Sequence, residues 1–179
     1  KPQTKVITPV HFAGLACDTA VLRDVAGSRV LIEDASHSLG GMYEDGTPVG
    51  NGAAADMTVF SFHPVKPITT GEGGAITTND ANLYRRVKMF ANHGIERNPD
   101  LLFISADELN NQQMNPWYYE QQELGYNYRM SDIHAALGNS QLKKLGNFIA
   151  RRRHIAAMYD EAFSGNSAIK LAQSDPNDR

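Results

Sequence analysis

The chain has 179 residues, of which 41% are hydrophobic, and a formal net charge of −3. This length and composition suffice for one packed core and predict a single domain or part of a larger one. The negative charge argues against nucleic-acid binding, which normally needs a basic surface. The single cysteine, Cys17, has no partner for an internal disulfide, and no apolar run is long enough to cross a bilayer. A cytoplasmic protein without membrane contact is therefore expected by default.

Short apolar segments alternate with helical patterns in the first half of the chain, which indicates an α/β fold. Strands are predicted at residues 5–10, 29–32, 57–62 and 74–78. Their near-continuous apolar character favours a sheet covered on both faces. Helices are predicted at residues 19–26, with Asp18 as N-cap, and 81–91, capped by the pair at 79–80. Because the chain starts at Lys1 and its first strand follows at once, we expect an interior segment of a longer protein.

The second half begins with a polar, proline-bearing stretch and ends in helices. The polar pattern of residues 92–123 predicts a long loop. Its aromatic residues Trp117, Tyr118 and Tyr119 either face a substrate or anchor the loop by packing, and packing is the favoured interpretation. Ser131 is a predicted N-cap, and Ile133, Ala136, Leu137 and Leu145 are expected to share a helix face. A second helix is expected to run to Phe163. Its arginines at 151–153 are interpreted as a solvated face.

The segment at residues 61–74 places Lys66 in a polar turn directly after an apolar strand. Partial burial of such an amine favours its neutral form, which can form a Schiff base with an aldehyde cofactor. Taken alone, a solvated loop lysine would be the better interpretation. A second segment, at residues 32–40, also follows a short strand and carries Asp34 and His37. Since ligands of open α/β sheets bind beyond the carboxyl ends of the strands, both segments are expected to line one pocket.

These two segments, with residues 8–14, 125–133 and 151–153, resemble the DegT/DnrJ/EryC1/StrS family of sugar aminotransferases. Members of that family are pyridoxal-phosphate enzymes of fold type I. The resemblance follows the family's order over nearly the whole chain. It implies that residues 1–148 are the central part of the cofactor-binding large domain, a mostly parallel sheet flanked by helices. Residues 149–179 would be a helix leading toward a small C-terminal domain.

The resemblance also implies roles for individual residues of the cofactor site. Lys66 would hold pyridoxal 5'-phosphate covalently and move protons, and Asp34 would pair with the pyridine nitrogen. His37 would lie against the ring near its hydroxyl, and Ser61 would bind the phosphate. The alternatives are a cap or surface turn for Asp34 and a buried structural histidine for His37.

Other site residues follow from the same resemblance. Asn127 or Arg129 would reach the cofactor phosphate of the other subunit in a homodimer with shared active sites, because one serine cannot satisfy a phosphate dianion. His63, which could instead only stiffen the turn, and Tyr126 are candidate substrate contacts. No metal is expected, since the sequence has no zinc-type ligand spacing.

The predicted activity is transfer of an amino group from L-glutamate to a nucleotide-linked 4-keto-6-deoxy sugar, a step in amino-sugar biosynthesis. Within the family, residues 34–40 and 63–70 look most like the pseudaminic-acid branch, which aminates C4 of a UDP-linked sugar. Two alternatives remain open. One is a catalytically inactive fragment, and the other is a non-catalytic regulator or ligand-binding domain with the same fold.

Overall fold

The computed structural model of the chain describes residues 2–104 and 115–171. These residues form two compact units. The first unit takes in the chain up to Asn79 and again from Ser131, and the second is Asp80–Met130. Residues 105–114 of the predicted loop and 172–179 of the predicted C-terminal segment lie outside the described residues.

The first unit is built on a four-stranded sheet in the order β1-β2-β3-β4. The strands are β1 (Val6–Ile7), β2 (Val30–Asp34), β3 (Met57–Ser61) and β4 (Gly74–Thr77). β1, β2 and β3 are parallel neighbours, whereas β4 pairs antiparallel with β3. All four predicted strands are therefore confirmed. β1 is shorter than expected, and β2 continues to Asp34.

In each of the two central strands, β2 and β3, every second residue is buried. Leu31 and Glu33 of β2 and Thr58 and Phe60 of β3 are buried, while the residues between them are half-buried or exposed. Successive side chains of a strand point to opposite faces, so one face of the sheet is fully covered and the other only partly. The prediction of a sheet covered on both faces therefore holds fully for one face and partly for the other. The apolar runs of these strands conceal polar side chains, such as Thr58, that pair within the covered face.

Four α-helices lie in the described part of the chain, and the N-caps of the first three are those the sequence predicts. They are α1 (Thr19–Ala26), α2 (Ala81–Ala91), α3 (Asp132–Leu142) and α4 (Leu145–Phe163). The side chains of Asp18, Asp80 and Ser131 accept backbone N–H groups at the starts of α1, α2 and α3. Leu145 does not share the face of Ile133, however, because α3 ends at Leu142 and Leu145 begins α4. Of the described helices, none is both long and apolar enough to span a membrane.

The second unit contains regular structure where the sequence predicts only a loop. β5 (Ile95–Glu96) and β6 (Glu120–Gln121) form an antiparallel pair. The carboxylate of Glu96 holds this region together, since it accepts the Nε–H of Arg85 at 2.9 Å and the backbone N–H groups of residues 97 and 98. Strands of two residues carry no readable alternation, which explains why the pattern missed them.

Candidate active site

Asp34 and Ser61 end two adjacent parallel strands of the first unit. Asp34 is the last residue of β2 and Ser61 the last of β3, and Asp34 lies opposite Val59 in the register. Carboxyl ends of parallel strands meet at one edge of a sheet, which is where open α/β sheets bind ligands. The turn that carries Lys66 follows β3 directly. The structure thus brings both predicted segments to the same edge.

Asp34 is held in place through its backbone and kept ionised by its neighbours. Its N–H donates to the carbonyl of Pro9 at 2.9 Å, and its own carbonyl accepts the N–H of His11 at 3.0 Å. Hydrogen bonds from Ser36 lower the pKa of Asp34, and the charges of His37 and Lys66 lower that pKa further. The half-buried carboxylate is therefore negative at neutral pH, within the electrostatic influence of the lysine.

Both ends of the loop that carries Lys66 are hydrogen-bonded to the backbone of Phe62. Phe62 donates its N–H to the carbonyl of Gly73 at 2.8 Å and accepts the N–H of Thr70 at 3.0 Å. Inside the loop, Ile68 and Thr70 are almost fully buried. The backbone N–H of Lys66 donates to the carbonyl of His63 at 2.9 Å, so the lysine sits on a hydrogen-bonded turn with its side chain half-buried.

Two glycines allow neighbouring elements to approach this loop. A Cβ on Gly74 would lie 2.5 Å from the carbonyl oxygen of Phe60, so only a glycine permits this close approach of β4 to β3. A Cβ on Gly138 of α3 would lie 2.8 Å from the methyl group of Thr70. No sequence pattern singles out Thr70 or Gly138. Their role comes from contacts between residues about 70 positions apart, which periodicity does not report.

The two histidines near the site are exposed rather than buried. The Nδ1 atom of His37 accepts the N–H of Ala13 at 3.3 Å, and its ring meets Phe12 edge-on at 5.9 Å between centroids. A buried structural histidine is thus not what the structure shows at this position. His63 accepts the N–H of Val65 at 3.4 Å, a contact that stiffens the turn. Contact of His37 with a cofactor and of His63 with a substrate stay predictions.

Beneath Asp34, on the covered face, lies a polar network that the sequence did not reveal. The carboxylate of Glu33 is fully buried and accepts hydroxyl hydrogen bonds from Thr19, Thr58 and Tyr43 at 2.5–2.9 Å. The Nε2 atom of His11 lies 3.3 Å from the same carboxylate. A charged residue inside an apolar strand was the available signal, because such a group is buried only with partners.

This network leaves Glu33 ionised in spite of its burial. Burial alone raises the pKa of Glu33, but the polar contacts with His11, Thr19, Thr58 and Tyr43 outweigh it and lower the pKa to about 2. Because these partners come from the loop before α1, from α1, from β3 and from the turn after β2, one carboxylate joins the segments that surround Asp34.

The remaining predicted residues lie in the second unit, at its surface. The rings of Tyr126 and Tyr128 are stacked 4.8 Å apart and are 59% and 73% exposed. The backbone of Asn127 forms a β-bridge with Asn92, and the guanidinium of Arg129 donates to the side chain of Asn92. The segment is therefore ordered by α2 and the turn that follows it. Its contacts with a cofactor or substrate stay predictions.

The aromatic cluster at residues 117–119 fits the predicted packing role only in part. Trp117 is 72% exposed. Tyr119 lies under the guanidinium of Arg97 at 5.4 Å from its ring centroid, and the hydroxyl of Tyr118 donates to Glu120. Only the two tyrosines have local partners among the described residues. The described ranges, 2–104 and 115–171, also contain no group of three or more His, Cys, Asp or Glu side chains arranged to hold a metal.

Comparison with known proteins agrees with this geometry. A family model described as the DegT/DnrJ/EryC1/StrS aminotransferase family matches residues 1–179. The chain belongs to this family. Among curated relatives of this DegT-family chain, the UDP-4-amino-4,6-dideoxy-N-acetyl-beta-L-altrosamine transaminase of Campylobacter jejuni is 41% identical over 170 residues, which are 92% of this chain and 40% of the relative. The chain spans about two fifths of the length of the curated relatives it matches.

Solved structures show the same fold. The Helicobacter pylori aminotransferase PseC, involved in the biosynthesis of pseudoaminic acid, is 34% identical and superposes with a TM-score of 0.79, covering 93% of this chain and 40% of its own. A putative sugar aminotransferase from Streptococcus pneumoniae, solved in its PLP-form, is 33% identical with a TM-score of 0.70, covering 90% and 42%. The predicted α/β class of fold type I is confirmed for this DegT-family chain. The division into 1–148 and 149–179 stays a prediction.

Proposed function

We propose that the protein is a pyridoxal-phosphate-dependent aminotransferase that moves the amino group of L-glutamate to a nucleotide-linked 4-keto-6-deoxy sugar. The observation that carries the proposal is the meeting of an ionised Asp34 with Lys66 at the carboxyl edge of the sheet, in a chain of an aminotransferase family. The acceptor class is supported by the relative from Campylobacter jejuni, whose name specifies a UDP-linked 4-amino-4,6-dideoxy sugar.

The donor set at this edge fits pyridoxal phosphate. Asp34 offers an anionic carboxylate suited to a protonated ring nitrogen, Lys66 offers an amine, and Ser61 offers a hydroxyl at the end of the next strand. His37 and Ser61 would assist at the ring and at the phosphate. When bound, the cofactor supplies an electron sink for the carbon that loses its proton.

The chain's own residues would do the positioning and the proton transfer. Lys66 would move a proton between the α-carbon of the donor and a carbon of the cofactor. The hydrogen bonds at both ends of its loop limit how far its backbone can move during this transfer. Asp34, fixed by Pro9 and His11, would keep its carboxylate charged throughout the reaction. His63 and Tyr126 would contact the substrate.

Covalent labelling tests the central assignment. Reduction of the pyridoxal-phosphate-loaded whole protein with borohydride should fix the cofactor on the peptide that contains Lys66. A Lys66→Arg variant keeps the positive charge and should lose the label, whereas Lys143→Arg, at the exposed C-cap of α3, should keep it. Label on another lysine of the wild-type protein would contradict the proposal.

We also propose a homodimer in which Asn127 or Arg129 reaches the cofactor phosphate of the other subunit. Support comes from charge, because Ser61 alone cannot satisfy a phosphate dianion, and from the exposure of both side chains. Mixing a Lys66→Ala chain with a chain altered at Asn127 and Arg129 should restore part of the activity, since some mixed dimers then hold one intact site. Subunit exchange without any recovery would mean that each chain builds its own site.

A further inference from the structure

A groove of about 410 Å³ lies in the first unit, between the turn after β2 and one face of α4. Residues 13–15 and 37–41 form one wall, and α4 contributes Ile149, Arg152, Arg153 and Ala156. The volume is within the range of pockets that hold small ligands. The sequence pattern assigns the arginines of α4 only to a solvated face, so the groove raises the question of what they bind.

The position of α4 over this turn is fixed by close packing on a glycine. Gly40 has a φ of +82°, and a Cβ there would lie 2.5 Å from the Cδ1 atom of Ile149. Residues three and four positions after Ile149 lie on the same helix face. Arg152 and Arg153 are those residues, and their place along the groove follows from the contact of Ile149 with Gly40.

The groove is basic. Its ionisable lining residues are His37, Arg152 and Arg153, and no carboxylate lines it. Both arginines are exposed, and neither makes a hydrogen bond or ion pair with another residue in the part of the chain that the structure describes. Two guanidinium groups without counter-charges beside a cavity attract anions, and their planar donors match phosphate oxygens well.

The groove also begins next to the candidate active site. Pro67, the residue after Lys66, lines it together with His37, whose charge acts on Asp34. From Ile149 to Ala156 the helix rises about 10 Å, at 1.5 Å per residue. A ligand that reacts at Lys66 and also contacts the arginines of the groove must therefore carry its negative charge at some distance from its reacting carbon.

We propose that Arg152 and Arg153 bind the diphosphate of the nucleotide-linked sugar. This inference rests on the proposed function for the substrate class, and it assigns the residues that hold its charged part. A sugar-nucleotide diphosphate has one negative charge on each phosphate, which two guanidinium groups match. L-Glutamate, the amino donor, has two carboxylates and one ammonium group, so its single net negative charge matches two guanidinium groups less well.

Binding of UDP to the whole protein loaded with pyridoxal phosphate tests the assignment. Isothermal titration should give a Kd at least about tenfold higher for the double variant Arg152→Gln, Arg153→Gln than for the wild type, because charge-assisted hydrogen bonds are lost. Added salt should weaken binding less in the double variant. Arg151→Gln is the matched control, since Arg151 is exposed on the same helix but does not line the groove.

Four outcomes would overturn the inference. A Kd unchanged in the double variant would show that the arginines do not bind the diphosphate, and an equal loss in Arg151→Gln would show only a general charge effect. Weaker L-glutamate binding with unchanged UDP binding would assign the groove to the amino donor. Competition between UDP and pyridoxal phosphate would assign it to the cofactor phosphate. Failure of Lys66 to take the label, with UDP binding still dependent on both arginines, would instead refute the proposed function alone.

Discussion

Glu33 and Asp34 are consecutive residues of β2, yet their carboxylates have opposite surroundings. Glu33 lies on the covered face with no exposure and three hydroxyl donors, whereas Asp34 is half-buried at the ligand edge and bonded to its own turn. Both are ionised at neutral pH. Because neighbouring residues of a strand point to opposite faces, the carboxylate of Glu33 can join the surrounding segments while that of Asp34 stays available to a ligand.

Asp34→Asn should give the largest effect, and it should be on chemistry alone. A neutral amide cannot keep a pyridine nitrogen protonated, so the half-reaction with L-glutamate should slow by about 10²-fold or more. The midpoint of thermal unfolding should stay close to that of the wild type, because the backbone bonds that hold residue 34 remain. Rapid mixing and thermal unfolding of the same preparation measure both. Turnover near the wild-type rate in a folded variant would contradict the role of Asp34.

Glu33→Gln should instead lower the stability of the fold. The amide presents one acceptor and a donor to partners that all donate, so we expect a loss of about 3 kcal/mol in the free energy of unfolding. Urea unfolding of the whole protein, read from its first transition, measures this loss. Glu44→Gln, on an exposed residue of the following turn, serves as control and should change stability little. Equal stability of both variants would mean that the network does not hold the segments together.

Acid should reduce the difference between wild type and Glu33→Gln. The pKa of Glu33 is about 2 in the folded chain, below its ordinary value of 4.5. A depressed pKa stabilises the fold at pH values above the unfolded value, and that contribution is lost as the pH falls from about 4.5 through 2. The gap between the two free energies of unfolding should therefore be full at pH 6 and shrink steadily below pH 4.5. A gap that is constant with pH would contradict the ionised state of Glu33.

The contrast between the two carboxylates also shows what the sequence could and could not predict. The strands, the helix caps and the Asp34 and Lys66 segments were readable because each has a local signal, such as an apolar run, a capping residue or a polar turn after a strand. Glu33 was not recognised as a structural centre, because its partners come from positions 11, 19, 43 and 58. Such long-range partners leave no periodic pattern. The same reason hid the groove under α4, whereas β5 and β6 are too short to show an alternation.

Tyr43→Phe should give the smallest loss of stability, and it tests how much one hydroxyl donor contributes to the network around Glu33. The hydroxyl of Tyr43 lies 2.8 and 2.9 Å from the two oxygens of Glu33 and accepts the N–H of Gly50 at 3.3 Å. Burial raises the pKa of Tyr43, as does the Glu33 carboxylate, so the hydroxyl stays protonated and donates. Its removal should cost about 1 kcal/mol, since Glu33 keeps its threonine donors. The pKa of Glu33 should rise at the same time, which moves the acid-dependent loss of stability to higher pH.

Tyr84→Phe, on an exposed residue of α2, is the matched control for urea unfolding at pH 6 and pH 3. A loss as large as that of Glu33→Gln would show that Tyr43, rather than the carboxylate, is the centre of the network.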